Sequence, residues 1–130
     1  MVKDKDLLGK MKVDFLRDLP FEIDELKKDL IRLSDAPKDK EAAERIKRKA
    51  HSIKSCASFF PELSKMRDIS YKMEALFGLI EDGRLEPDQR ILKLTEDAGD
   101  IIIRLGKGED VDITNEKVKF DEYLSAVKKD

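Results

Sequence analysis

Apolar side chains return every three or four residues in four successive blocks of this chain, and that spacing admits little besides packed helices. The first block, in a helix expected from Val13, runs through Phe15, Leu19, Ile23, Leu26, Leu30 and Leu33, and the second through Ala43, Ile46, Ala50, Ile53, Ala57 and Phe60. The third is Leu63, Met66, Ile69, Met73, Leu76 and Ile80, and the fourth Ile91, Leu94, Ala98, Ile101, Ile102 and Leu105. Turn residues fall between them. Ser34-Asp35-Ala36-Pro37 ends the first block, Asp39 caps the second, Pro61 suits the first turn of the third, and Asp82-Gly83 and Gly106-Lys107-Gly108 stop the third and fourth. Pro20 lies inside the first block and lacks a backbone donor, which predicts a kink or break near Leu19. Asp24–Lys28, Glu41–Arg45 and Glu44–Arg48 are spaced to pair along exposed helix faces.

After a loop over 109–114, with Val111 and Ile113 tucked in or briefly extended, Phe120, Tyr123, Leu124 and Val127 predict a fifth helix from about Asn115 to Lys128. The expected fold is all-α: an antiparallel up-down four-helix bundle over 13–106. A flexible segment or short helix precedes it over 1–12, and a loop with an additional C-terminal helix follows over 107–130.

Charge excludes some functions. Against 29 Asp and Glu stand 27 Lys and Arg, so no basic nucleic-acid surface is expected. No apolar run approaches the length that crosses a bilayer, and the polar start lacks the apolar core of a signal peptide. Cys56 is the only cysteine and falls within the second helix pattern, so no internal disulfide forms and a cytoplasmic location is expected.

The chemistry-bearing candidate is His51, the only histidine. On a helix, Lys47, His51, Lys54, Ser55 and Ser58 share one stripe, about 100° around from the apolar line. The imidazole stands there above hydroxyls too short to cover it. A lone surface histidine usually has no special role, and a zinc site would need further histidines or cysteines. The serines at 52, 55 and 58 lie on helix with no oxyanion turn nearby, which argues against a serine triad. Asp110-x-Asp112-x-Thr114 lacks the glycine and the terminal glutamate of a calcium loop, and Gly106-Lys107-Gly108 lacks phosphate-loop spacing. The imidazole as a nucleophile toward phosphorus remains.

Ala50-His51-Ser52-Ile53-Lys54-Ser55-Cys56-Ala57 resembles the signature of histidine-containing phosphotransfer (HPt) domains of two-component phosphorelays, Ala-His-x-Leu-Lys-Gly or Lys-Ser followed by small residues. Phe15-Leu16-Arg17-Asp18-Leu19-Pro20 resembles the family's first long helix, Asp39-Lys40-Glu41-Ala42-Ala43 the segment leading into the histidine helix, and Met73-Glu74 the Leu-Glu of the next helix. The likeness covers about residues 13–105. It departs at Phe59-Phe60-Pro61, where relatives commonly carry glycine, so the register of Glu74 against His51 stays open.

The resemblance implies roles. His51 is the expected phosphoacceptor and Lys54 the balance for phosphate charge. Glu74 matches an acidic residue that orients the imidazole in the chemotaxis-kinase branch. Lys47, Ser55 and Ser58 belong to the face a partner would meet, with Ser55 small where many relatives carry glycine. The implied partners are a response-regulator receiver domain, which brings an aspartate and Mg2+, and a histidine kinase catalytic domain. Neither nucleic acid nor a membrane is implied as a partner. No cofactor or metal is expected on this chain, which would be a phosphocarrier without its own ATP site. Two further readings are a phosphoacceptor domain cut from a CheA-like chemotaxis kinase, and a helical adaptor that never carries phosphate.

Overall fold

A computed structural model describes the backbone of residues 2–128 and the side chains of residues 6–127. Five helices account for most of it: α1 Val2–Asp35, α2 Lys40–Ala57, α3 Ser64–Glu81, α4 Gln89–Gly106 and α5 Thr114–Lys128. Their ends follow local chemistry. The Asp39 carboxylate accepts the Ala42 N–H at 3.1 Å and opens α2, and Asp88 accepts the Ile91 N–H at 2.9 Å and opens α4. Asp112 accepts the Thr114 N–H at 2.9 Å at the start of α5. Gly83 (φ +76°) and Gly108 (φ +85°) take the left-handed turn that closes α3 and α4, a conformation in which a Cβ would be strained.

The apolar lines read from the sequence form one core. Leu19 to Leu33 of α1, the Ala/Ile line of α2, the Met/Ile/Leu line of α3 and the Ile/Leu line of α4 are all buried. Phe77 and Phe120 fill the interior, and Val111 and Ile113 are tucked in from the loop before α5. α2 lies chiefly along α3, α1 spans α2 and α4, and α5 packs on α3. The four long helices form the antiparallel bundle, with α5 added against it. No helix among the described residues is long and apolar enough to cross a membrane.

Four local expectations are corrected. Of the segment 1–12, Met1 lies outside the described residues, while from Val2 the backbone is helical and continuous with the helix expected from Val13. The break at Pro20 does not occur. Pro20 is exposed, so water can reach the carbonyl its missing N–H leaves unpaired, while Leu19 beside it is held in the core. Pro61 opens a 3-10 turn, Pro61–Leu63, rather than α3 itself. Finally, only Glu44–Arg48 forms among the three expected i,i+4 pairs, at 3.1 Å. Arg45 turns instead to Asp29 at 3.0 Å, joined there by Arg32 at 2.7 Å. Asp29 is nearly buried, and a buried carboxylate attracts cations more strongly than an exposed one. Lys28 pairs with Glu25 at 3.7 Å rather than with Asp24. Lys129 and Asp130, at the end of the segment expected over 107–130, lie outside the described residues.

Candidate functional site

The buried face of α2 is mostly alanine: Ala42, Ala43, Ala50 and Ala57 alternate with Ile46 and Ile53. Methyl side chains let neighbouring helices approach closely, and α2 takes that opportunity against α3. The polar side chains on the rim of this seam then meet across it. The His51 Nδ1 lies 2.6 Å from Glu74 Oε2, and Lys54 Nζ donates to Glu74 Oε1 at 2.6 Å. One turn toward the start of α2, Lys47 donates to Glu81, and its stem passes over Gly78, where an added Cβ would sit 3.7 Å from Lys47 Cδ. As α2 advances from Lys47 to His51 to Lys54, α3 retreats from Glu81 through Gly78 and Glu74 to Tyr71. The register left open at Phe59-Phe60-Pro61 is thereby defined.

Glu74 is the hinge of this arrangement. Partial burial alone would push its carboxyl up. The hydrogen bonds from Lys54 and His51, with the charges behind them, outweigh that and hold it below the usual carboxylate range. An ionised carboxylate only accepts hydrogen bonds, so the ring nitrogen facing it must carry the proton. Nδ1 therefore donates, and in the neutral ring Nε2 keeps the unshared pair. The His51 side chain is 57% exposed, whereas Glu74 beneath it is 22% exposed. One edge of the ring is anchored and the other is available. The arrangement suits a nucleophilic nitrogen held in one tautomer.

The other sequence candidates fall around this centre. Ser55 and Ser58 are exposed on the same stripe, and the Ser58 hydroxyl donates to the Lys54 carbonyl at 2.7 Å, finishing the end of α2. Lys47 and Lys54, each expected to meet negative charge from outside, are already engaged with carboxylates of α3. Its bond to Glu81 holds the Lys47 ammonium above its ordinary pKa, against a smaller opposing effect of burial. Two residues at the site were not anticipated. Glu81 lies seven residues beyond Glu74 on the same face, a spacing visible in the sequence once Glu74 is chosen. Tyr71 lies three residues before Glu74, and the Lys54 ammonium stands 5.5 Å from the centre of its ring.

Known proteins resemble this chain in sequence and in fold. A chemotaxis protein CheA of Rhizobium meliloti (strain 1021) is 28% identical over 98 residues, which are 75% of this chain and 13% of that protein. The chain therefore spans only a small part of that relative. Among solved structures, the phosphorylated P1 domain of CheA3 from R. sphaeroides, crystallised in complex with CheY6, superposes with a TM-score of 0.71. That match covers 92% of this chain and 97% of the other at 18% identity, so it speaks to the fold. The Hpt domain model matches residues 10–128, nearly the whole chain, and with it the helix that presents His51: this protein belongs to the Hpt domain family.

Proposed function

We propose that His51 is the residue on which this histidine phosphotransfer domain carries a phosphoryl group, exchanged between a histidine kinase and a response-regulator aspartate. The observation that carries the assignment is the 2.6 Å contact of Nδ1 with an ionised Glu74 beneath an exposed ring. In the forward step the Nε2 lone pair attacks the phosphorus of an acyl phosphate on the receiver. The new N–P bond forms as the P–O bond to the aspartate breaks, and that electron pair leaves with the aspartate carboxylate. The imidazole ring becomes more positive as its nitrogen bonds to phosphorus, and Glu74 stabilises that charge through Nδ1–H. Reversal returns the group to the aspartate. Loading from a kinase follows the same course, with nucleoside diphosphate as the leaving group.

Lys54 would balance the phosphoryl charge after leaving Glu74 Oε1, and Lys47, Ser55 and Ser58 would line the approach of the partner. In this reading the receiver contributes the magnesium ion, the kinase contributes the nucleotide, and the exchange takes place in the cytoplasm. Phosphoryl transfer relies on positioning and charge neutralisation, so a carrier needs little more than a held nucleophile.

A second reading is favoured by the extent of the structural match. The likeness to the P1 domain of CheA3 covers 92% of this chain and 97% of that domain, which supports a phosphoacceptor domain of a CheA-like kinase. Both readings predict the same first experiment. Incubated with a phosphorylated receiver domain, or with a kinase and labelled ATP, the protein should acquire acid-labile, base-stable label that His51→Gln lacks. A helical adaptor without phosphate would instead bind its partner equally well with or without that substitution, and would never label.

A further inference from the structure

Lys54 is held from two sides. Its ammonium donates to Glu74 Oε1 at 2.6 Å and stands 5.5 Å from the centre of the Tyr71 ring. Glu74 is committed in the other direction as well, since Oε2 holds His51 Nδ1. While Lys54 remains on Glu74, its charge is applied to the anchored edge of the imidazole, whereas a phosphoryl group on Nε2 arrives at the opposite edge. For Lys54 to donate to that group its ammonium has to turn from the anchored edge toward Nε2, which loosens its hold on the carboxylate. A freed lysine on a four-carbon stem would ordinarily disperse into solvent. The face of an aromatic ring attracts a cation without fixing it to one donor geometry.

Tyr71 offers such a face. It is 58% exposed, so it fills no part of the core, and it sits one turn before Glu74 on the side of α3 that faces Lys54. We propose that Tyr71 is a positioning residue for phosphoryl exchange: its ring retains the Lys54 ammonium beside His51 when that ammonium moves from Glu74 to the phosphoryl group. The inference rests on His51 being the phosphoacceptor. It assigns no bond-making to Tyr71, and its hydroxyl is not required.

The test compares Tyr71→Phe, which keeps the ring, with Tyr71→Leu, which removes it, in the wild-type and Lys54→Ala backgrounds. The readout is the rate of His51 labelling by a phosphorylated receiver domain, with thermal unfolding followed in parallel. Tyr71→Phe should label at the wild-type rate. Tyr71→Leu should label about two- to fivefold more slowly, with unfolding unchanged and with no further slowing once Lys54 is alanine. Equal rates for Tyr71→Leu and wild type overturn the proposal, as does an equal slowing in the Lys54→Ala background, which would place the effect of Tyr71 elsewhere. A wild-type protein that takes no label fails the phosphoacceptor reading itself and this inference with it. A labelled wild type with an indifferent Tyr71 fails this inference alone.

Discussion

The buried side chains that α2 brings to its seam with α3 are chiefly alanines, whereas α1 and α4 meet through large branched side chains set against glycines. A Cβ added at Gly99 would sit 3.2 Å from Ile23 Cγ2, and one at Gly106 would sit 3.1 Å from Leu19 Cδ2. The second seam thus gains volume: leucine and isoleucine fill the space that the missing Cβ atoms leave. The first gains proximity, and its rim carries three polar contacts across the helices, His51–Glu74, Lys54–Glu74 and Lys47–Glu81. The α1–α4 rim carries Lys27–Asp100 and Gln89–Ser34. Stability and positioning are therefore assigned to different helix pairs, and the two can be perturbed separately.

The largest stability effect is expected on the α1 side. Leu26 is fully buried, and Leu26→Ala should cost about 2–5 kcal/mol in denaturant unfolding, from lost transfer energy and the cavity left behind. Labelling per folded molecule should not change. A labelling defect in protein shown to be folded would mean that the two seams are mechanically joined.

Next comes Glu74→Gln, which leaves packing nearly intact but replaces a charge-assisted contact. Such bonds contribute about 1.5–3 kcal/mol, so labelling of His51 should slow on the order of 10- to 100-fold. The pH dependence has a definite sign. The folded-state pKa of Glu74 lies below its ordinary value, so as pH falls the unfolded chain takes up the proton first. The stability Glu74 contributes is complete above the ordinary carboxylate value of about 4.3 and is lost as pH falls through the lower folded-state value. Unfolding curves of wild type and Glu74→Gln should therefore converge on acidification. Divergence would mean that Glu74 is protonated in the folded protein.

Ala50→Leu attacks the proximity of the α2 seam directly. Ala50 is fully buried immediately before His51, and extra methylenes there should cost about 1–3 kcal/mol. Unlike Leu26→Ala, this change should also slow labelling, because α2 and α3 must separate and the 2.6 Å contact of His51 with Glu74 must lengthen. Stability loss with wild-type labelling kinetics would refute the division of labour between the seams.

The apolar spacing alone made the four long helices and their core lines legible, because a period near 3.6 has few other uses. The stripe of Lys47, His51, Lys54, Ser55 and Ser58 was legible for the same reason. What a single helix pattern could not supply was the partner across the seam. Lys54 was expected to balance phosphate charge and Lys47 to meet a partner, yet both are paired with carboxylates of α3, since pairing depends on how far Phe59-Phe60-Pro61 advances the chain before α3 begins. Tyr71 was missed because an exposed aromatic looks like any other until the lysine opposite it is placed. The break offered at Pro20 erred in the other direction: the cost of the proline to the helix is local, and burial of Leu19, Ile23 and Leu26 on either side of it outweighs that cost.

The smallest effect concerns a polar atom that belongs to neither arrangement. Ser70 lies on α3 between Ile69 and Met73, which are both fully buried, and its hydroxyl is buried without a hydrogen-bond partner. Rim polar groups of the α2 seam are paired because the pairing positions them, but an unpaired hydroxyl in the core only loses its contact with water. Ser70→Ala removes that loss and slightly favours the helix, so unfolding should shift toward higher denaturant by about 1 kcal/mol. Labelling should be unaffected. A destabilised variant would show that the hydroxyl is bonded in solution, and a labelling defect would extend the positioning role of α3 from its rim into its buried face.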